Sequence, residues 1–591
     1  MKLTDEQKAA VNCPDNVLLT ACPGSGKTRV IISKLVRCVD ELRGTPRAAA
    51  CITYTNTAVH EVEHRLRRHI QLGDDTNFDV CTIHSFCLNY IFRPFRHHIK
   101  GYGQGASVLT QDSPEFVKFV DAACADFGRL NLKFSDYEEF VHLQINATGN
   151  AIGPSITNGG IRVQEAELYW KLLQRNGFVD FCLILYFSLK LIQEHPEIGD
   201  HLASKFAWLL IDEFQDSTDL QVEILSLIAQ RKRTNFFLVG DLCQSIFGFA
   251  GAKPELAGIF ARRIGAQTTL TLTGNFRSSA RIVRHSELLL PRQPPMHAVG
   301  PQKDAPHDPV HKVGASAFQA ITEEFLPALQ GLKIPVGEAA VLAPAWFVLF
   351  PLGRQLRKRG VSVVGPGARP YRRNRVFAPL AEHVCGYLVE ENPEAIAGIE
   401  RALFNLVLDL TCKPHFNIFS YEGRTVVFQL LGEAKRLRNL GGGGMAWLES
   451  ASAAFADILV ASEYLTADQA LRVQNSVREM KQDMIVNRVD LANLTLDDVG
   501  VYANPKAALK LSTLHFAKGR EFQAVAMIDL HEGRIPDYRA KTPEDYDAAR
   551  RLFYVGMTRA ERYLLYVTDT SDWRNKASRF LRAGTGVGVV A

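Results

Sequence analysis

The sequence lacks a long hydrophobic run, a paired-cysteine motif and a strong excess of charge. Its longest apolar stretches, FVDFCLILYFSL and AAVLAPAWFVLFPL, are too short to span a bilayer comfortably. The first residues, MKLTDEQKAA, are charged and contain no apolar segment of a secretory signal. These features predict a cytoplasmic protein that does not enter a membrane.

The cysteines and the charge balance narrow the class further. Eleven cysteines are dispersed without a C-x-x-C pair, which is typical of reduced thiols rather than disulfides or a zinc site. The formal net charge of +5 permits a polyanionic partner without requiring one. At 591 residues the chain is too long for one hydrophobic core, so several domains are expected.

Short apolar runs alternate with helical patterns in two regions, which predicts parallel sheets covered by helices. Between these regions the patterns are mainly helical. We therefore expect an α/β protein with two cores, each interrupted by a helical insertion. The predicted domains are residues 1–86 and 176–275 for the first core, 87–175 for its insertion, 276–377 and 501–591 for the second core, and 378–500 for its insertion.

The segment ACPGSGKT, which begins at Ala21, has the pattern of a phosphate-binding loop except that alanine replaces the first glycine. It follows the strand pattern NVLLTA and precedes a helical pattern, so the helix N-terminus would point at phosphates. Gly24 and Gly26 allow close backbone approach. Lys27 would reach the β- and γ-phosphates, and Thr28 would hold Mg²⁺. Ala21 only begins the turn, where a small side chain suffices.

A second acidic motif supports this interpretation. The apolar strand pattern FAWLLIDEFQD ends in Asp212, a candidate Mg²⁺ ligand, and Glu213, a candidate group to orient or deprotonate the attacking water. Paired acids after an apolar strand also occur as simple helix caps. Their combination with a phosphate loop about 185 residues earlier favours a nucleoside triphosphatase.

Eight segments give a more specific resemblance. They are, in chain order, LTDEQKAAV, CITYTNTAVHEV, CTIHSFCLNYI, LLIDEFQDST, LVGDLCQSIFGFAGA, LTGNFRSS, LSTLHFAKGREFQAV and RLFYVGMTRA. This series resembles the UvrD/Rep/PcrA-like branch of superfamily 1 helicases, from residue 3 to about 567. The resemblance implies two RecA-like P-loop parallel-sheet cores, each with a mainly helical insertion, and ATP with Mg²⁺ as cofactors.

The resemblance also implies roles around the nucleotide. Gln7 would read adenine and Phe276 would stack on it. Gln244 would sense the γ-phosphate and couple it to the nucleic acid. Arg277 and Arg559 would be arginine fingers supplied by the second core. The remaining positions expected to contact or shape the site are Cys22, Pro23, Ser25, Arg29, Lys518, Gly519 and Glu521.

Single-stranded nucleic acid is held by base stacking on aromatic rings and by polar contacts to phosphates. Loops after the strands of an α/β sheet are where such ligands bind. By resemblance, the predicted DNA contacts are Tyr54, Asn56, His84, Phe86, Phe247, Phe249, Thr513 and His515. Core packing remains the alternative for each aromatic ring.

Several positions depart from the family pattern. Ala250 replaces the usual arginine, Phe249 stands where tryptophan is frequent, Phe516 replaces a serine and Arg520 replaces an apolar residue. The predicted ATPase residues are complete, whereas the predicted DNA-coupling residues are fewer. ATP hydrolysis is therefore better supported than unwinding.

The favoured function is an ATP-dependent translocase or helicase on single-stranded or tailed DNA, moving 3′-to-5′ by resemblance. The alternative is a DNA-sensing ATPase subunit that regulates a separate nuclease, because YIFRPFRHHI is weakly similar to the helicase subunit of Gabija-type phage defence. An ATP-binding scaffold without turnover is disfavoured by the complete catalytic set. The basic segment RPYRRNR at 369–375 fits either a duplex-binding patch or a solvated loop.

Overall fold

The computed structural model describes residues 3–67, 69, 77–111, 113–372, 375–411, 420–503, 505–569, 576–582 and 589–590. The chain forms two compact units, Met1–Ala305 with Ala540–Thr558, and Pro306–Arg539 with Arg559–Ala591. Residues 276–305 and 540–558 are thus grouped with the first unit by their contacts. The domain boundaries predicted from the sequence stay a prediction, because contact grouping does not define a domain.

The first unit contains a sheet of six parallel strands. They are β1 (Val17–Ala21), β2 (Ala48–Thr53), β3 (Phe78–Thr82), β4 (Phe206–Ile211), β5 (Asn235–Gly240) and β6 (Thr271–Leu272), in the spatial order β6-β1-β5-β4-β2-β3. Every residue of β2 and β4 is buried, as expected for a parallel sheet covered on both faces. The predicted α/β class with a parallel sheet is confirmed for this unit.

Helices flank this sheet and fill the segment between β3 and β4. They are Asp5–Asn12, Lys27–Leu42, Asn56–Leu66, Ile83–Cys87, a π-helical turn at Leu88–Phe92, Arg93–Phe95, Pro114–Ala125, Phe134–Val141, Pro154–Thr157, Val163–Arg175, Phe181–Glu194, Pro196–Lys205, Asp219–Ala229, Glu255–Arg263, Ala280–Leu289 and Pro543–Met557. Short 3-10 turns lie at Arg96–His98, Phe214–Asp216, Leu242–Gln244 and Gly248–Ala250. Three small strand pairs join Ser107–Val108 to Phe178–Val179, Gln144–Ile145 to Ala151–Ile152, and Gly274–Asn275 to His297–Ala298.

The helical insertion of the first unit shares its core with the sheet. Ile52 and Leu209 from the strands belong to the same buried cluster as Phe92 and Tyr169 from the insertion. The insertion is therefore anchored to one face of the sheet rather than standing apart from it.

The second unit contains a sheet of seven parallel strands. They are β7 (Val310–Val313), β8 (Ala339–Ala343), β9 (Val363–Val364), β10 (Leu509–Thr513), β11 (Phe522–Met527), β12 (Ala560–Thr568) and β13 (Val589–Val590), in the order β9-β10-β8-β11-β12-β7-β13. The register places Ala343 opposite Thr513, so β8 and β10 end side by side. A second parallel α/β core is thus confirmed.

Helices of the second unit form a separate bundle between β9 and β10. The bundle comprises Ala378–Val389, Ile396–Thr411, Tyr421–Leu440, Gly443–Ala461, Ala467–Val486 and Leu496–Gly500, with 3-10 turns at Pro393–Ala395 and Pro505–Ala507. Nearer the sheet lie Ala317–Gln319, a π-helical turn at Ala320–Phe325, Leu326–Gly331, Val336–Glu338 (3-10), Trp346–Lys358 and Arg579–Arg582. Among the described helices, Gly443–Ala461 alone is long and apolar enough to cross a membrane, and half of its apolar stretch is buried inside the protein.

The basic segment at 369–375 is largely used for internal ion pairs. Arg369 makes two hydrogen bonds of 2.7 Å to Glu382, and Arg375 makes two of 2.8 and 2.9 Å to Asp483. Residues 373 and 374 lie outside the described part of the chain. These two arginines anchor the segment to the helical bundle, so they pair with carboxylates rather than being fully solvated, and duplex binding by the segment stays a prediction.

Candidate nucleotide and DNA sites

The phosphate-binding loop follows β1 directly and ends where the helix Lys27–Leu42 begins. Gly24 and Gly26 have φ values of 66° and 79°, the left-handed region that favours glycine. A Cβ atom on Gly24 would lie 2.6 Å from Cβ of Arg277, so no side chain fits there. Ala21 is the last residue of the extended strand, and its position does not require glycine.

The paired acids lie at the carboxyl end of β4. The Asp212 amide donates to the Ile52 carbonyl at 2.9 Å, and Oδ1 of Asp212 accepts from the Glu213 amide at 2.9 Å. Glu213 has a φ of 50°, a left-handed conformation that costs a non-glycine residue about 1–3 kcal/mol and often marks a functional position. Its Oε1 lies 3.8 Å from Nζ of Lys27. The structure thus brings together Lys27 and Glu213, the lysine and carboxylate for which the sequence predicted catalytic roles.

A series of hydrogen bonds, one of them through the Asp241 backbone amide, links this carboxylate to Gln244. The Gln215 amide nitrogen donates to Oε2 of Glu213, while Oε1 of Gln215 accepts from the backbone amide of Asp241 at 3.0 Å. The buried Asp241 carboxylate then accepts from Nε2 of Gln244 at 2.6 Å. The sequence analysis assigned no role to Gln215. Its position two residues after Glu213, within the segment DEFQD, was a signal that could have pointed to the site.

Phe276 and Arg277 pack directly on the phosphate loop. The Phe276 amide donates to the Gly24 carbonyl at 2.9 Å, and the Arg277 amide donates to Oδ1 of Asn275 at 2.9 Å. Nη1 of Arg277 donates to the Thr558 carbonyl at 3.1 Å. Arg277 therefore lies beside the loop, within the first unit, and its role as an arginine finger supplied by the second core stays a prediction.

Arg559 belongs to the second unit and is almost wholly buried there. Its Nη1 donates to the Arg520 carbonyl at 3.3 Å, in the loop that also carries Gly519 and Glu521. Gly519 has a φ of 80°, which explains the glycine. The finger role of Arg559 and the contribution of Glu521 to the nucleotide site stay predictions.

A cavity of about 230 Å³ lies between the first helix and the phosphate loop. It is lined by Thr4, Asp5, Glu6, Gln7, Ser25, Leu272, Gly274, Phe276, His297 and Val299. Nε2 of Gln7 donates to the Ser25 carbonyl at 2.9 Å, and its Oε1 accepts from the Thr4 amide at 3.1 Å. One hydrogen and one lone pair of this amide are left for a base. The cavity thus gathers Gln7 and Phe276, the two residues predicted to bind adenine.

The other predicted positions of the loop fall into two kinds. Cys22 and Pro23 are buried, whereas Arg29 is exposed on the following helix. Burial raises the pKa of the Cys22 thiol to about 12, so this cysteine is protonated and fills space. Thr28 is the second residue of the helix, and its contact with a metal stays a prediction.

Three predicted DNA contacts form an aromatic surface on the first unit. Tyr54 and Phe247 are stacked with ring centroids 5.1 Å apart, and Phe249 meets Phe247 edge-on at 6.0 Å. Tyr54 and Phe249 are 39% and 48% exposed, which is unusual for rings whose only task is core packing. The insertion supports this surface, because Nε2 of Gln144 donates to the Phe249 carbonyl at 2.9 Å.

Phe86 differs from the prediction. Its ring is fully buried against Tyr90 and Phe206, so it packs the core and offers no stacking surface. His84 meets the half-exposed ring of Phe181 edge-on at 5.3 Å, and burial lowers its pKa to about 4. His84 is therefore neutral near pH 7. Asn56 is exposed at the start of its helix.

In the second unit, the predicted DNA contacts Thr513 and His515 lie near aromatic residues that the sequence analysis did not assign to DNA binding. Thr513 is buried, and its hydroxyl accepts from the Phe516 amide at 3.3 Å. Burial, with a smaller effect of Lys518, lowers the pKa of His515 to about 4. Phe516 and Trp346, 59% and 40% exposed, meet edge-on at 5.0 Å. Sequence reasoning noted Phe516 only as a departure and missed Trp346.

The first unit has the site of a P-loop nucleoside triphosphatase, since a glycine-rich loop and strand-end acids meet at one edge of a parallel sheet. The family model of the UvrD/REP helicase N-terminal domain matches residues 3–263, and that of the UvrD-like helicase C-terminal domain matches residues 463–571. Together these matches cover more than half of the chain.

Whole proteins are similar along nearly the full length. ATP-dependent DNA helicase Rep of Escherichia coli is 22% identical, with 96% of this chain and 90% of that protein aligned. Rep of Buchnera aphidicola from Schizaphis graminum is 21% identical, with 96% and 93% aligned. PcrA of Bacillus subtilis is 25% identical, with 96% and 82% aligned. The chain belongs to the UvrD/Rep/PcrA-like family of ATP-dependent DNA helicases, and it is a hydrolase.

Proposed function

We propose that this protein is an ATP-dependent translocase or helicase on single-stranded or tailed DNA, moving 3′-to-5′ in the cytoplasm. The observation that carries the proposal is the series of polar contacts from Lys27 through Glu213, Gln215, and the backbone amide and carboxylate of Asp241 to Gln244. This series connects the phosphate loop to the segment that carries Phe247 and Phe249. It supplies a physical route by which nucleotide state and DNA grip influence each other.

The residues at the loop fit a magnesium-bound triphosphate. The Thr28 hydroxyl and the Asp212 carboxylate are oxygen donors of the kind that Mg²⁺ prefers. Gly24 and Gly26 have the positive φ values of a glycine-rich phosphate-binding turn. Mg²⁺, when bound, would neutralise phosphate charge. Lys27 would bind the β- and γ-phosphates, while Glu213 would orient the attacking water and accept its proton. The Gln215 amide would hold the Glu213 carboxylate in orientation.

Two arginines would neutralise charge that develops during phosphoryl transfer. Arg277 has the stronger support, since its backbone packs on Gly24 and its guanidinium bonds the Thr558 carbonyl. Arg559 follows Thr558 in the chain. A nucleotide that attracts the Arg277 guanidinium would therefore affect its contact with Thr558, the residue that directly precedes Arg559.

DNA would be held by aromatic surfaces on both units. Tyr54, Phe247 and Phe249 form the first surface, and Trp346 with Phe516 forms the second. Base–aromatic stacking contributes about 1–3 kcal/mol per base and tolerates any sequence. The neutral His84 and His515 would form hydrogen bonds or stack rather than pair as cations with phosphates.

The decisive experiment measures ATP hydrolysis with and without single-stranded DNA, and strand displacement on duplexes with a 3′ or a 5′ tail. We expect DNA to stimulate hydrolysis and only the 3′-tailed duplex to be unwound. Lys27→Ala should abolish both activities. Stimulated hydrolysis that survives in Lys27→Ala would overturn the assignment of the site, and unwinding of the 5′-tailed duplex alone would overturn the direction.

A DNA-sensing ATPase that regulates a separate nuclease remains a second candidate. It is favoured by the reduced set of DNA contacts, since Phe86 is buried and Ala250 stands in place of an arginine. The same assays separate the two functions. Hydrolysis stimulated by DNA without displacement of either tailed duplex would support the sensor and contradict the helicase.

A further inference from the structure

Arg292 lies in the proline-rich connector that follows the helix Ala280–Leu289, and no sequence motif pointed to it. Its side chain is 8% exposed. Nη1 donates to Oδ1 of Asp241 at 2.8 Å, and Nη2 donates to the carbonyl of Ala21 at 2.9 Å. Nη1 also lies 3.4 Å from the hydroxyl of Tyr554. One guanidinium therefore bridges the start of the phosphate loop and the segment after β5.

The partner of Arg292 is the same carboxylate that holds Gln244. Asp241 is completely buried, with Oδ1 accepting from Arg292 and from the Cys243 amide, and Oδ2 accepting from Gln244. Burial alone would lower the pKa of Arg292, but the Asp241 carboxylate raises that pKa above its ordinary value. Arg292 therefore keeps its charge in this buried position, and removal of its carboxylate partner would leave that charge without a counter-ion.

The sheet register explains why one arginine reaches both places. Thr20 of β1 lies opposite Gly240 of β5, so the next residues, Ala21 at the end of β1 and Asp241 just after β5, lie side by side. The planar guanidinium presents two donors in a fixed geometry that matches a carboxylate and a neighbouring carbonyl. A lysine could satisfy the charge of Asp241, but it lacks this paired geometry.

We propose that Arg292 is a positioning residue for ATP hydrolysis, which holds Asp241, and through it Gln244, in a fixed position relative to the phosphate loop. The inference rests on the proposed function and assigns a further residue to the same site. Arg292 would not touch the nucleotide. Its effect would come from the placement of the Gln244 amide, where a displacement of about 1 Å lowers a rate by about a hundredfold.

The first test compares steady-state ATP hydrolysis of wild type, Arg292→Gln and Arg292→Lys in saturating single-stranded DNA. We expect Arg292→Gln to lower kcat by about 10–100-fold while the KM for ATP changes by less than about threefold. Arg292→Lys should recover part of kcat because it keeps the charge. A kcat of Arg292→Gln within twofold of wild type would overturn the proposal.

A matched control separates positioning from loss of a buried ion pair. Arg129 in the insertion bonds Glu165, a fully buried carboxylate, at 2.9 Å. Arg129→Gln removes a comparable pair far along the chain from every nucleotide residue. We expect it to lower the melting temperature as Arg292→Gln does but to leave kcat unchanged. Equal losses of kcat in both variants would show that Arg292 acts only through general stability.

The route through Gln244 is tested by a double-mutant cycle. If Arg292 works by placing Gln244, the kcat of Arg292→Gln/Gln244→Ala equals that of Gln244→Ala alone. Multiplied losses would contradict this route. Should Arg292→Gln fail to fold, the same cycle is run with Arg292→Lys. A wild-type protein without DNA-stimulated hydrolysis would instead refute the proposed function, which keeps the two failures distinct.

Discussion

The two parallel sheets of this chain end in different chemistries. At the carboxyl edge of the first sheet, Lys27, Glu213 and Asp241 form a partly buried polar network. At the carboxyl edge of the second sheet, β8 and β10 lead to the exposed rings of Trp346 and Phe516. The first unit thus presents the proposed catalytic groups together with an aromatic surface, whereas the described strand ends β8 and β10 of the second unit lead to an aromatic surface. Fold sets where a site lies, and the loops decide what it does.

The largest effect on activity should come from a substitution at the carboxyl edge of the first sheet, where the proposed catalytic residues lie. Glu213→Gln keeps the size of the side chain and one acceptor oxygen but removes the base, so DNA-stimulated kcat should fall by about 10²–10⁴-fold. Nucleotide binding, measured by titration of a fluorescent ATP analogue, should remain within a few fold of wild type. Glu223→Gln, which alters an exposed carboxylate on the helix Asp219–Ala229, is the control. Hydrolysis within tenfold of wild type in Glu213→Gln would remove the assigned base.

Much of this edge was predictable because short-range patterns encode it. The glycine spacing of ACPGSGKT predicts the backbone conformation of the loop, and buried apolar runs predict the strands that carry Asp212 and Glu213. Arg292 was not predictable, since it meets Asp241 only after a parallel sheet brings β1 beside β5. Trp346 was missed for the same reason, because Phe516 is distant in sequence and adjacent only through the register of β8 and β10.

The next largest effect should come from substitutions in the aromatic surfaces proposed to bind DNA. These substitutions test whether the carboxyl edges of both sheets bind DNA. Phe247→Ala should weaken single-stranded DNA binding by about 1–3 kcal/mol, or about 5–150-fold. Phe516→Ala should weaken it by about 1 kcal/mol, because this ring meets Trp346 edge-on rather than as part of a stacked pair such as Tyr54 with Phe247. Fluorescence anisotropy with a labelled oligonucleotide at fixed salt measures both.

Phe428→Ala controls for the loss of an exposed aromatic ring. Phe428 is 67% exposed on the helical bundle of the second unit, away from the strand ends. DNA affinity should not change in this variant. If Phe516→Ala also leaves affinity unchanged while Phe247→Ala weakens it, the second sheet edge is not a DNA-binding surface and the comparison fails.

The effect of pH on stability should be smaller than the effects above. It should be similar in the two units because each contains a buried histidine. Burial holds the pKa of His84 and of His515 near 4, whereas an unfolded histidine titrates near 6.5. Below pH 6.5 the unfolded chain binds protons that the folded chain refuses, so stability present above that pH is lost as pH falls towards 4. The melting temperature should therefore drop less between pH 7.5 and 5 in His84→Gln or His515→Gln than in wild type. His60→Gln, on an exposed position, should behave as wild type.

The smallest expected effect on DNA binding concerns Phe86, the aromatic residue that the structure moves from the DNA surface to the core. Phe86→Leu should leave oligonucleotide affinity within about twofold of wild type, because the buried ring never reaches a base. The substitution should still lower the free energy of unfolding by about 1 kcal/mol, since leucine only partly refills the space between Tyr90 and Phe206.

Phe247→Leu provides the matched comparison, with the opposite pattern expected: weaker DNA binding and little change in stability. An equal loss of affinity in both variants would mean that the helix Ile83–Cys87 moves when DNA binds and exposes Phe86. Phe86 would then belong to the DNA-binding surface of the first unit rather than to its core.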